Sequence, residues 1–251
     1  MKSILVITPT VDRPEHAPMV EQITRLGTAE VAVRHTFIGS GPASVESFVD
    51  EAHCVPALMD CAIAADHQRI SGILINCMCD PGLYAVRECV ECPVVATAEV
   101  AMHTAAILGH RFGFVDVLES SRTLVEDQVQ RYGVASRYGG FRAVEIPVLE
   151  IDRDQASTVK RLTDAISSLV VESHVDTAIL GCGSFIGCAP QLRQALLERQ
   201  ADIPVINPLP LAIGFLIALV EAGLTHSKRA YPTPRSPQPQ IVTRRKAPPS
   251  V

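Results

Sequence analysis

Two stretches of this chain, SGILINC at residues 71–77 and DTAILGC at 176–182, share a pattern that few folds accommodate. Each is a short aliphatic run that ends in a cysteine where loop residues begin, as a fully buried strand does. Pro-Val-Val (93–95) follows the first after a helical stretch, and Pro-Val-Ile (204–206) follows the second in the same way. The same alternation fills the space around them. Strands are expected over 3–8, 29–37, 72–76, 93–97, 111–117, 141–150 and 176–182, with helical patterns over 18–27, from about Ser44 to Ile70, and over 82–90, 99–108, 120–132, 153–173 and 208–222. Strands that alternate with helices imply parallel sheets with crossover helices. The fold class is therefore α/β, with two pseudo-symmetric lobes, each a parallel sheet flanked by helices, in a degenerate internal repeat.

The lobes divide the chain into 1–97 plus 207–226 and 98–206. Residues 227–251 hold prolines and scattered Lys and Arg and bury little apolar surface, so they are expected to form an extended or disordered tail. The apolar helix around Pro210–Ile217 is read as core. In 251 residues, 47% are hydrophobic and 20% charged, with a formal net charge of -5. That balance offers no basic field for nucleic acid. No apolar run approaches the ~18 residues of a membrane span, and the first run is too short for a signal peptide. A cytoplasmic protein is expected, in which disulfides are rare and the eight cysteines are either packing residues or chemically used.

Ligands of parallel α/β sheets bind at the carboxyl ends of strands, where loops lead into helices. Cys77 and Cys182 both fall there. A helix N-terminus lowers a thiol's pKa and binds anionic oxygens, so such a place can supply both an activated base and an oxyanion site. A single cysteine is more often a small buried hydrophobe. Two at equivalent places in a repeat weaken that reading. Zinc held by Cys77, Cys79, Cys89 and Cys92 is disfavoured, because the two pairs lie on opposite edges of a sheet roughly 15 Å apart, far beyond Zn–S bonds of ~2.3 Å. Cys89-x-x-Cys92 lies near a helix C-terminus, where redox pairs do not sit. Cys54, Cys61 and Cys188 are read as packing residues, and the histidines as ordinary core or surface residues. Gly181–Gly187 is spaced one residue too long for a dinucleotide fingerprint.

Several segments together resemble the hydantoin racemase group of the aspartate/glutamate racemase superfamily. Gly41-Pro-Ala-Ser-Val-Glu-Ser47 is similar to its G-P-x-S-I-E-S segment, Cys77-Met-Cys-Asp-Pro-Gly-Leu83 to its C-x-G-D-P-G-L, and Leu180-Gly-Cys-Gly183 to its second cysteine motif. The resemblance implies a cofactor-independent isomerase with its active site between the lobes, acting on a hydantoin-like carbon acid. Cys77 and Cys182 would be the catalytic acid-base pair. Thr10, Val45, Met78, Cys79, Gly183 and Ser184 would bind the small-molecule substrate, the amides of the last four stabilising an enolate oxygen. No metal, nucleic acid or membrane enters this reading, and a homo-oligomer is expected. Departures from the group's pattern are Thr8-Pro-Thr10 in place of Asn-Pro-Asn, Cys79 in place of Gly, Asn207 in place of Asp, and Asp116 in place of Thr. These leave open a decarboxylase, a cis-trans isomerase or an amino-acid racemase on the same scaffold.

Overall fold

The computed structural model of the protein describes residues 1–235, the side chains of Asp152 and Ile186 excepted. Aliphatic and β-branched runs form β1 (Lys2–Thr8), β2 (Val31–Phe37), β3 (Gly72–Ile75) and β4 (Val94–Ala96). A second set comprises β5 (Phe112–Asp116), β6 (Tyr138–Ala143), β7 (Thr177–Leu180) and β8 (Val205–Ile206). All pairs are parallel, in the order β2-β1-β3-β4 and, identically, β6-β5-β7-β8. The crossovers run through α1 (Ala17–Thr24), α2 (Phe48–His67) and α3 (Leu83–Cys89) in the first set. In the second they run through α5 (Arg122–Arg131), α6 (Gln155–Ser173) and α7 (Ala189–Glu198).

Two helices join the halves. α4 (Thr97–Leu108) packs Ala101, Met102 and Ala105 with Phe112, Phe114 and Ile179. α8 (Pro208–Glu221) places Ala212, Ile213 and Leu216 against Ile4, Val6 and Leu74 of the first sheet. Gly72 permits that approach, since a Cβ there would come within 2.9 Å of Leu216 Cδ1. Side-chain oxygens cap the two longest helices: Asp50 N–H donates to Ser47 Oγ (3.2 Å) before α2, and Ser157 N–H to Asp154 Oδ1 (3.0 Å) before α6.

Register sets up the site. Ile7 pairs with Ile75 in the first sheet, and Val115 with Leu180 in the second. One step further along, Thr8 lies beside Asn76 and Asp116 beside Gly181, with Cys77 and Cys182 next in line. The two cysteines are equivalent by strand order and by register.

One expected strand is corrected. The alternation over 141–150 continues past Ala143, but β6 stops there because Glu145 takes a left-handed conformation (φ 54°) and Pro147 follows. The remainder forms a 3-10 turn, Val148–Arg153. The stretch expected to be a tail starts out anchored. Lys228 Nζ donates to the carbonyl of Val90 (2.6 Å) just past the C-terminal end of α3, where a cation is favourable, and Arg87 donates to the Tyr231 hydroxyl (3.3 Å). Residues 236–251 lie outside the described residues. No helix among the described residues is long and apolar enough to cross a membrane.

Candidate active site

A cavity of about 650 Å³ opens where the carboxyl ends of the two sheets meet. Cys77 and Cys182 border it from opposite lobes, each partly accessible. Thr10, Val45, Met78 and Cys79 border it on the first side, and Gly183 and Ser184 on the second. The residues singled out in the sequence thus surround one space. The amides of Met78, Cys79 and Gly183 donate to no protein group among the described residues. They belong to residues that border the cavity, whereas the Ser184 amide, expected to serve alongside them, is committed to Cys182.

On the first side the polar groups form a neutral chain. Asn76 Nδ2 donates to Thr8 Oγ1 (3.0 Å), and that hydroxyl lies 2.8 Å from His35 Nε2. Burial drives the His35 pKa down to about 4, so the imidazole is uncharged at neutral pH. The Thr8 hydroxyl, which accepts from Asn76, can meet either tautomer of the neutral imidazole, donating to Nε2 or accepting from Nε2–H. The chain places no charge beside Cys77.

On the second side the corresponding positions hold Asp116 and Gly181. A Cβ on Gly181 would lie 2.6 Å from Phe114 Cε1 and 2.7 Å from Asp116 Cγ, so glycine there makes room for the carboxyl group. Asp116 accepts from the Val117 N–H (2.7 Å), and burial raises its pKa to about 7. Cys182 is pushed up to about 12, first by burial and then by the Asp116 charge, against hydrogen bonds from Ser184 that pull the other way. The expectation that a helix N-terminus would lower the thiol pKa is therefore corrected for Cys182. A 3-10 turn, Gly183–Cys188, separates it from α7, and desolvation outweighs what the turn's amides offer.

Cys77 does not sit at a helix N-terminus either. A turn closed by Asp80 N–H donating to the Cys77 carbonyl (2.9 Å) intervenes before α3. Cys79 shares a hydrogen bond with the Cys77 sulfur, and that contact together with burial holds Cys79 as a thiol. Cys54, buried in α2, donates to the Glu51 carbonyl (3.2 Å) and packs in the core behind the site.

The Cys77 loop is gripped by the connecting helix α4 and by the body of the second lobe. Asp80, with a left-handed backbone (φ 48°), accepts from the N–H groups of Ala98 (2.9 Å) and Glu99 (2.8 Å) at the start of α4. From the second lobe, Tyr132 donates its hydroxyl proton to Asp80 Oδ2 (2.7 Å) and Gln128 Nε2 donates to the Met78 carbonyl (3.0 Å). Across the rim, Val148 N–H donates to Glu46 Oε1 (2.9 Å). Among the described residues no three His, Cys, Asp or Glu side chains converge so as to hold a metal ion.

Sequence reading does not place Arg13, His16, Asn76, Ser121, Val148 or Leu149 at the site, yet all border the cavity. Asn76 was within reach, as a polar residue ending a buried strand one position before a singled-out cysteine. His16 and Arg13 lie in a loop with no motif, and Val148 and Leu149 fall in the part of the expected strand that lies beyond the end of β6 at Ala143.

Comparison with known proteins agrees with this geometry. A family profile described as Asp/Glu/Hydantoin racemase matches residues 4–216. Hydantoin racemase from Pseudomonas sp. (strain NS671) is 31% identical over 85% of this chain and 82% of its own length. Allantoin racemase from Klebsiella pneumoniae superimposes with a TM-score of 0.85 at 25% identity, over 94% of this chain and 95% of that one. Allantoin racemase from Pseudomonas fluorescens gives 0.84 at 27% identity, over 93% and 97%. Two like-ordered lobes with a cysteine each at the shared edge, the profile over most of the chain and these likenesses agree: the chain belongs to the Asp/Glu/hydantoin racemase family and is a racemase.

Proposed function

We propose that the protein inverts C5 of 5-substituted hydantoins by passing a proton between two thiols, with no cofactor taking part. The observation that carries this reading is the equivalence of Cys77 and Cys182, which occupy the same register position in two like-ordered lobes and border one cavity. Inversion at a carbon acid needs a base on one face and an acid on the other, and a two-fold repeat supplies that pair of groups. Cys182, kept as a thiol by burial, enters as the acid, and Cys77 is then required as the thiolate. The thiolate removes the C5 proton and the electron pair moves onto the neighbouring carbonyl oxygen. The thiol delivers its proton to the opposite face of C5, leaving Cys77 as thiol and Cys182 as thiolate. The amides of Met78, Cys79 and Gly183 are available to the enolate oxygen, where fixed donors act most strongly. The hydantoin and allantoin racemases among its relatives support the same chemistry, since allantoin is itself a hydantoin with a ureido group on C5.

The test is incubation of the protein with one enantiomer of a 5-substituted hydantoin in D₂O, using benzyl, methylthioethyl and ureido substituents. The expected result is loss of optical rotation with deuterium gained at C5. Folded protein that leaves every member of this panel optically intact would rule the proposal out.

A further inference from the structure

We infer that Arg13 makes one wall of the cavity a subsite for an anionic group, so that the favoured substrate carries a short C5 substituent ending in a carboxylate. This rests on the proposed activity and specifies its substrate class. Arg13 lies in the loop after β1, which is held in place by Val11 N–H donating to the Pro42 carbonyl (3.1 Å) and Ile38 N–H donating to that of Thr10 (3.2 Å). The loop is an anchored part of the cavity wall.

The partners of the guanidinium group are incomplete. His16 lies 3.3 Å from one Nη of Arg13 through its Nε2, and its ring stacks on Phe37 at 4.7 Å between centroids. Arg13 Nε–H is buried with no acceptor. No carboxylate of the described residues lies within 4 Å of the side chain. Arg153, on the same cavity, differs in being paired with Glu150 at 3.3 Å and mostly exposed. An arginine that meets only an imidazole, with one donor shielded from water, has its interactions completed by a group that enters the cavity or draws the guanidinium toward it. A carboxylate matches the guanidinium fork with two charge-assisted hydrogen bonds, which a neutral amide cannot do.

The surrounding charges permit this. Asp12 faces His16 Nδ1 at 3.7 Å and Glu15 borders the cavity, but both are exposed to solvent, where their repulsion is screened. Asp116, the buried acid of the cavity, belongs to the second lobe and stands next to Cys182. Val117, Leu124, Val148 and Leu149 form an apolar stretch of the wall that offers an anion no partner of its own.

Two hydantoins decide the matter, one with a 2-carboxyethyl and one with a 2-carbamoylethyl group on C5, equal in shape and different in charge. For the wild type, kcat/KM for the acid should exceed that for the amide by roughly 10-fold or more. Arg13→Gln should bring this ratio down roughly 10–100-fold, and Arg13→Lys should recover part of it. A wild-type ratio of one or below overturns the inference, as does a ratio that Arg13→Gln leaves unchanged. Should Arg13→Gln fail to fold, the wild-type ratio decides. If neither compound is racemised, the proposed activity fails separately, and equilibrium binding of the two compounds to the wild type decides the subsite. Tighter binding of the acid supports it; equal or weaker binding overturns it.

Discussion

The two lobes share strand order, register and a cysteine at the same position, yet they surround that cysteine differently. In the first lobe, Thr8 and Asn76 are joined by a hydrogen bond and relayed to an uncharged His35. In the second, the matching positions hold Asp116 and a glycine, which place a titratable carboxyl group beside Cys182. A symmetric scaffold thus carries an asymmetric pair of thiols. The proposed proton transfer needs that difference, because an acid and a base cannot be the same species at the same moment. Identical residues are made unequal by what lies one register step away.

The largest expected effect tests whether both lobes are needed despite this asymmetry. Cys77→Ser and Cys182→Ser should each lower racemisation by about 10²–10⁴-fold, the usual range for loss of a positioned acid or base. Each should still exchange the C5 proton of one enantiomer with solvent, without inversion, through the thiol that remains. Racemisation followed by polarimetry and exchange followed by NMR separate the two. A variant retaining wild-type racemisation would mean that one lobe does all the work.

Next is the carboxyl group that distinguishes the lobes. An unperturbed Asp titrates near 3.9, and burial lifts Asp116 to about 7. Between those values the unfolded chain has released this proton while the folded protein still holds it, so stability falls as pH rises through the window and levels off above it. Asp116→Asn removes that penalty. It should be more stable than the wild type at pH 8, on the order of 2–4 kcal/mol, with the advantage vanishing near pH 4. Denaturant unfolding at the two pH values measures it, and an advantage that is absent at pH 8 or larger at pH 4 would refute the account. Removing the nearby charge should also move the alkylation midpoint of Cys182 to lower pH.

Making the second lobe resemble the first at its other differing position should cost less. Gly181→Ala introduces a Cβ in near contact with Phe114 and Asp116, and overpacking of a buried site costs about 1–3 kcal/mol. Asn76→Ala, at the matching position, creates no clash and strands only the Thr8 hydroxyl. Thermal unfolding of the pair should rank Gly181→Ala as the more damaging, and the reverse order would show that the room left for Asp116 is not what glycine provides.

The two lobes were legible in the sequence to different depths. Strands buried on both faces leave continuous aliphatic runs, so SGILINC and DTAILGC disclosed the repeat and placed Cys77 and Cys182 at one edge. Helix starts were less exact: the patterns begin at about Ser44 and 153, whereas the helices begin at Phe48 and Gln155, just after the capping residues Ser47 and Asp154. The juxtapositions were hidden. Thr8 meets Asn76, and Asp116 meets Gly181, only through the register of strands distant in sequence, and no local pattern encodes register between parallel neighbours. The continued alternation in Val144 and Ile146 extended the apparent strand to 150, because periodicity does not register the left-handed turn at Glu145. The Cys182 pKa was misjudged for a related reason. Proximity to a helical turn can be read from sequence, whereas the burial that outweighs it is a property of the assembled lobes.

The smallest predicted effect is also the most local. The Cys77 loop depends on the opposite lobe, through Tyr132 on Asp80 and Gln128 on Met78, while the Cys182 loop is tied within its own lobe by Gln155 Nε2 donating to the Gly187 carbonyl (2.8 Å). Tyr132→Phe removes one hydrogen bond and leaves Asp80 with the two amides of α4. It should cost about 1–2 kcal/mol, more at pH 8 than at pH 5, since the lost donor matters most to the ionised carboxylate, whose pKa burial places at about 7. Backbone hydrogen exchange should quicken over residues 77–83 and stay at the wild-type rate over 183–188. Equal acceleration in both segments would mean that the tyrosine stabilises the whole protein and has no specific hold on the Cys77 loop.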